Sequence, residues 1–73
     1  MMSRETIEEV CPKGQLSSMF MRDVESAVND VFKKINYKPK NLKKSLDKTW
    51  KISKRDDPLS EFVYTVWRID NGH

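Results

Sequence analysis

The sequence has very little glycine, cysteine and histidine, and this scarcity excludes several kinds of functional site. Its 73 residues include two glycines, one cysteine and one histidine. A glycine-rich phosphate-binding loop needs several closely spaced glycines, so we expect none. A zinc site usually takes four ligands, and Cys11 and His73 are too few to supply them. We interpret Cys11 as a structural thiol and expect no metal site, no cofactor and no enzymatic activity.

Long apolar runs are also missing. No stretch approaches the roughly 20 apolar residues that a membrane helix needs. The first ten residues, MMSRETIEEV, are charged and do not resemble a secretory signal peptide. A single cysteine allows no internal disulfide, so nothing points to an oxidising compartment. We therefore expect a cytoplasmic protein without a membrane partner, and a length of 73 residues predicts a single domain, residues 1–73.

The charges, by contrast, are abundant and unevenly distributed. The formal net charge is only +3. Residues 33–55 hold ten basic side chains and one acid, so this segment alone carries a formal charge of +9. The segments on either side, 1–32 and 56–73, each carry −3. A strongly basic middle between two acidic flanks is typical of a surface that binds a polyanion, although a solvated lysine-rich surface gives the same pattern.

Apolar spacing predicts one long amphipathic helix over residues 18–35. Its apolar residues recur at intervals of three and four, as one face of a helix requires. Ser17 or Ser18 is the expected N-cap. The predicted buried face consists of Phe20, Val24, Ala27, Val28, Val31 and Ile35.

Two shorter helices are predicted beside it. Residues 3–10 can form a helix capped by Ser3, with a short edge strand as the alternative. Residues 40–48 can form a helix of about two turns capped by Asn41, in which Leu42 and Leu46 make an apolar pair.

The C-terminal half predicts a β-hairpin. Residues 49–55 alternate apolar and basic side chains, and residues 61–69 are rich in aromatic and β-branched types that favour strands. Residues 56–60 would form the connecting turn. The second strand is apolar on both faces, so its outer face needs cover from the N-terminal segment, a third strand or a partner, including a second copy in a homodimer.

Together these elements predict an α+β fold: one long amphipathic helix and one or two short helices packed on a C-terminal β-hairpin. This order resembles that of winged-helix domains. The resemblance implies that residues 42–46 form a recognition helix and that residues 54–60 form the tip of the wing.

The leading functional hypothesis is a non-enzymatic protein whose basic surface, residues 33–55, engages DNA or RNA. Cations near aromatic side chains suit phosphate neutralisation combined with base stacking. The alternative is a protein-interaction module, such as a small inhibitor or adaptor of the phage type, which meets an acidic surface of a larger protein; Phe62, Tyr64 and Trp67 would then be the anchors. The candidate binding residues for either partner are Lys38, Lys40, Lys43, Lys44, Lys48, Lys51, Lys54, Arg55, Tyr64 and Arg68.

Overall fold

A computed structural model describes residues 3–72. The regular secondary structure of these residues is helical, and they contain no strand. Four α-helices follow one another: α1 is Arg4–Val10, α2 is Met21–Lys34, α3 is Leu42–Ile52 and α4 is Leu59–Asp70. A single 3₁₀ turn, Leu16–Ser18, lies between α1 and α2. The predicted α+β class is therefore wrong, and so is the predicted hairpin.

Most of the first predicted strand and all of the second are helical. Residues 49–52 continue α3, and residues 61–69 lie within α4. The buried side chains of α4 recur at spacings of three, one and three: Leu59, Phe62, Val63 and Val66. That helical stripe meets the core, so burial outweighs the strand propensity of the aromatic and β-branched residues. With no hairpin there is no wing, and the resemblance to winged-helix domains does not hold.

The two short helices begin where local capping predicts. The Ser3 side chain accepts a hydrogen bond from the backbone N–H of Thr6 at 3.3 Å. The Asn41 side chain accepts one from the N–H of Lys44 at 3.2 Å. Each bond satisfies a donor that the first helical turn leaves without a partner. The two predicted N-caps are confirmed, although α3 runs further than the predicted residue 48.

The start of α2 differs from the prediction. The helix begins at Met21, and Phe20 occupies the N-cap without a capping hydrogen bond from its side chain. Ser17 and Ser18 belong to the preceding 3₁₀ turn instead. Phe20 is 80% exposed, so its assignment to the buried face is wrong. The rest of the predicted stripe is confirmed from Val24 to Val31, whereas Ile35 is only half-buried.

The end of α2 is fixed by a left-handed residue. Asn36 has φ of 57°, and asparagine tolerates this region better than most residues. The N–H of Tyr37 donates to the carbonyl of Phe32 at 2.8 Å, and the N–H of Asn36 donates to that of Lys33 at 3.2 Å. The rings of Phe32 and Tyr37 pack edge to face with centroids 5.0 Å apart. Together these contacts form a Schellman motif with its apolar contact.

The buried side chains form one core around α4, which packs against each of the other three helices. Its main neighbour is α3, which lies beside it as the other half of a helical hairpin. The ring of Trp50 on α3 lies 4.6 Å from that of Phe62 on α4. Helix α3 therefore turns its apolar side toward α4 and leaves its remaining side to solvent.

An extended crossing joins the two halves of the chain. The segment before α2 lies against the loop between α3 and α4, where Gln15 and Pro58 form an isolated antiparallel bridge. The N–H of Leu16 donates to the carbonyl of Asp57 at 3.1 Å, and the N–H of Ser17 donates to that of Arg55 at 2.9 Å. These bonds hold the loop that carries Arg55 beside the start of α2.

Candidate nucleic-acid interface

Four of the predicted binding lysines share one side of α3. Because α3 buries Ser45, Leu46 and Thr49, its other side faces water. Helical periodicity places four exposed lysines within that outer arc, together with the exposed Asp47. This cluster, which we call the lysine face, consists of Lys43, Lys44, Lys48 and Lys51. From Lys43 to Lys51 it extends about 12 Å along the helix axis.

Other predicted cations lie at the two ends of this helix. Lys38 and Lys40 are exposed in the connection between α2 and α3. Lys54 and Arg55 are exposed in the loop after α3. Eight of the ten predicted residues therefore lie on α3 or on its flanking loops, whereas Lys33 and Lys34 belong to the end of α2.

The N-terminal end of the lysine face is held by a carboxylate at the end of α4. Asp70 Oδ2 accepts a hydrogen bond from the N–H of Lys40 at 2.8 Å, and Oδ1 accepts one from the N–H of Asn41 at 2.9 Å. The hydroxyl of Ser45 donates to Oδ1 at 3.3 Å, and the hydroxyl of Tyr37 donates to Oδ2. Asp70 thus links the C-terminal end of α4 to the point where α3 begins.

These contacts shift the pKa values of Asp70 and Tyr37. Burial acts to raise the pKa of Asp70, but the hydrogen bonds from Tyr37, Asn41, Lys40 and Ser45 outweigh it and lower the pKa below the ordinary value of 3.8. Burial and the bond to the Asp70 carboxylate raise the pKa of Tyr37 to about 12. At neutral pH the carboxylate is therefore ionised and the phenol is neutral.

A shallow depression of about 210 Å³ lies beside this carboxylate. Lys40, Lys44 and Lys48 line it, together with Asp70. The three ammonium groups outnumber the carboxylate, so the depression is positive overall. The ionised carboxylate of Asp70 offsets part of this positive charge.

The remaining two predicted residues lie in different surroundings. Tyr64 and Arg68 are on α4, where Tyr64 contacts α1 instead of the lysine face. The Cζ atom of Arg4 lies 4.5 Å from the centre of the Tyr64 ring, and that of Arg68 lies 5.9 Å from it. Arg4 also forms an ion pair with Glu61. The Tyr64 ring therefore lies between Arg4 of α1 and Arg68 of its own helix, and the contact with Arg4 joins α1 to α4.

A second surface feature lies at the C-terminal end of α3. A pocket of about 390 Å³ opens between the segment before α2 and the loop after α3. We call it the apolar pocket; its lining residues are Leu16, Met19, Met21, Trp50, Ser53, Lys54 and Arg55. Among residues 3–72, the large apolar side chains that are exposed are Phe20, Met21 and Ile52. Each of them lines this pocket or adjoins a lining residue in the chain.

The cysteine has the properties of a structural thiol. Cys11 is buried in the core. Burial raises the pKa of its thiol to about 11, although the nearby Lys34 acts to lower it. Little reactive thiolate is therefore present at neutral pH. Within residues 3–72, no three side chains of Cys, His, Asp or Glu are grouped so that they could hold a metal ion, and His73 lies outside the described residues.

No helix in the described part of the chain combines the length and apolar character required to cross a membrane. Comparisons of this chain with models of protein families, with curated proteins and with solved structures found no match in any of the three.

Sequence reasoning missed both Asp70 and the apolar pocket. Asp70 accepts hydrogen bonds from Lys40 and Asn41, which lie about 30 residues earlier in the sequence. No local sequence pattern predicts such a contact. The pocket depends on the crossing at Gln15 and Pro58, which are even further apart in the sequence. One local signal did exist, since Phe20 occupies a position that serines or asparagines usually take.

Proposed function

We propose that this protein binds nucleic acid through the lysine face of α3, as a non-enzymatic protein that acts in the cytoplasm. The observation that carries the proposal is the exposure of Lys43, Lys44, Lys48 and Lys51 on one side of a single helix. Lysine ammonium groups bind phosphates as point charges, and binding releases the counterions that surround the nucleic acid.

The dimensions of α3 support this function. An α-helix with its side chains is about 10–12 Å wide, and the major groove of B-form DNA is about 12 Å wide. The outer face of α3 carries lysines and Asp47 but none of the arginine, asparagine or glutamine side chains that most often make paired contacts with bases. The proposal therefore specifies phosphate contacts with little sequence preference, since phosphate contacts position a protein without reading sequence.

The positive charges of the lysine face also lie on a different helix from several of the acidic side chains. Glu5, Glu8 and Glu9 are exposed on α1, whereas the lysine face belongs to α3, whose main contact is with α4. The modest net charge of +3 therefore understates the positive potential near α3.

The test is binding of the purified chain to a fluorescently labelled duplex and to a single strand, measured by anisotropy at several salt concentrations. If four phosphates are neutralised, log K falls against log salt with a slope of about −3.6 on a duplex. A slope near zero, or no binding near physiological salt, would contradict the proposal.

A protein partner is the second candidate, and the exposed Phe20, Met21 and Ile52 favour it. Exposed large apolar side chains mark an interaction surface when they form a patch, and Phe20 and Met21 are consecutive at the start of α2. The anchors expected from sequence are different ones. Phe62 is only 1% exposed, so a partner cannot reach it without disrupting the core.

A further inference from the structure

The apolar pocket is separate from the lysine face and has a composition of its own. Its lining includes the side chains of Leu16, Met19, Met21 and Trp50, and its basic wall includes Lys54 and Arg55. Phe20 lies between the lining residues Met19 and Met21 in the chain, and its side chain is 80% exposed. The pocket therefore combines apolar side chains with two cations, a mixture suited to a partner segment that carries both an apolar and an acidic side chain.

Phe20 is the most informative of these residues because its side chain neither caps α2 nor packs in the core. It occupies the N-cap of α2 and makes no capping hydrogen bond with its side chain. Serine, threonine, aspartate or asparagine would stabilise the helix better at this position. The side chain also remains largely in water. Its aromatic surface is therefore available for a contact outside the chain.

Trp50 contributes a buried hydrogen-bond donor without a partner near the same pocket. It lines the pocket, and its indole N–H is buried without a hydrogen-bond acceptor among the described residues. Buried donors in folded proteins are almost always paired. Because this nitrogen is enclosed by the protein, a bound segment reaches it only after neighbouring side chains move, and the NMR signal of the indole N–H reports such a movement.

The charges at the border favour an acidic partner. Lys54 and Arg55 are exposed at the pocket, and Lys51 precedes them on the last turn of α3. Two acids follow, but the carboxylate of Asp57 accepts a hydrogen bond from the N–H of Lys54 at 2.9 Å and is engaged with the loop itself. Asp56 remains exposed. A two-fold contact with a second copy would bring equal charges together, which disfavours this chain as its own partner.

We propose that the apolar pocket binds a segment of another protein in which one large apolar side chain is flanked by acidic residues. The apolar side chain enters between Met19, Met21 and Trp50, and Phe20 covers it from the border. The acidic neighbours pair with Lys54 and Arg55. This binding does not depend on the proposed nucleic-acid function; it rests on the protein-partner candidate stated above and names the chemistry of that partner.

The test begins with selection from a library of random twelve-residue peptides displayed against the immobilised full chain. The expected peptides share a large apolar residue within a few positions of two or more acidic residues. A synthetic peptide from this set is then titrated into ¹⁵N-labelled protein. The indole N–H signal of Trp50 shifts, while that of Trp67 on α4 serves as the internal reference. A Trp50→Phe variant assigns the two signals.

Three variants locate the interaction. Phe20→Ser removes the exposed ring and installs a good N-cap, so this variant folds, and the peptide affinity falls at least about tenfold. Arg55→Glu weakens binding because it reverses a charge at the border. Lys33→Glu makes the same change in net charge at the far end of α2, about 18 Å from Met21 along the helix, and leaves the affinity unchanged.

Four results would overturn the proposal. The first is a selection without enrichment, or with enriched peptides that lack acidic residues. The second is equal binding by the parent chain and Phe20→Ser. The third is a Trp50 signal that responds to a single-stranded oligonucleotide but not to the peptide, which would make this a site for an unpaired base. The fourth is a dimer in solution that Phe20→Ser dissociates, which would make a second copy the occupant.

Discussion

Replacing Asp70 with asparagine tests the contact that fixes where α3 begins. In the parent chain both carboxylate oxygens accept hydrogen bonds, from the N–H groups of Lys40 and Asn41 and from the hydroxyls of Tyr37 and Ser45. Asparagine keeps one acceptor oxygen and turns an NH₂ group toward donors. We therefore expect at least one backbone N–H to lose its partner and the negative charge to be lost.

The expected cost is large for a chain of this length. Hydrogen bonds to charged groups contribute about 1.5–3 kcal/mol each. Asp70 is half-buried, so solvent screening places the loss toward the lower end, at about 2 kcal/mol. A domain of this size has a total stability of about 4–11 kcal/mol. The midpoint of thermal unfolding should fall by about 8–16 °C.

The assay is urea and thermal unfolding followed by circular dichroism at pH values from 2 to 7. The folded-state pKa of Asp70 lies below its ordinary value of 3.8. The carboxylate's contribution is therefore fully present above that value and is lost as the pH falls through the lower folded-state pKa. The difference between the parent chain and Asp70→Asn should shrink in this acidic range. Asp47→Asn, which makes the same charge change on the exposed side of α3, is the matched control.

Two results would refute this reasoning. One is a loss of less than about 0.5 kcal/mol in Asp70→Asn, a size typical of ordinary surface substitutions. The other is a stability difference that stays constant from pH 7 to pH 2.

Further predictions concern the thiol, the end of α2 and its beginning. Cys11 should react with iodoacetamide at pH 8 far more slowly in the folded chain than in urea, because it is buried and burial raises its pKa to about 11; equal rates would contradict this. Asn36→Ala should cost about 1 kcal/mol in urea unfolding and Asn36→Gly should cost nothing, because φ at this position is 57°; equal stabilities would rule out the Schellman motif. Phe20→Ser should stabilise the chain by about 1 kcal/mol, because it supplies the missing N-cap; a loss of stability would show that Phe20 contributes to the fold.

The sequence predicts those parts of the fold that depend on neighbours in the chain. The caps at Ser3 and Asn41 act over three residues, and each is found as expected. The buried stripe from Val24 to Val31 follows from helical spacing alone. The lysines of α3 are exposed for the same reason, since that helix buries its opposite side.

The prediction fails where distant contacts decide the structure. Residues 61–69 have the composition of a strand, but α4 is the element against which the other three helices pack, and only a helix presents Phe62, Val63 and Val66 to one core. The helical spacing of Leu59, Phe62, Val63 and Val66 is present in the sequence, but the strand-favouring composition of the same segment conceals it. Asp70 and the apolar pocket depend on contacts between residues about 30 to 40 positions apart, so they are visible only after folding.

The most direct test of the proposed function compares two charge-reversed double variants on the same duplex. Lys44→Glu/Lys48→Glu removes two cations from the lysine face, and Lys13→Glu/Arg22→Glu removes two exposed cations elsewhere. Both variants change the formal net charge from +3 to −1. We predict that the first lowers the salt slope by about 2 and weakens binding at least about tenfold, whereas the second keeps most of the parent slope. Equal losses in both variants would show that net charge governs binding, and the claim that α3 carries it would be wrong.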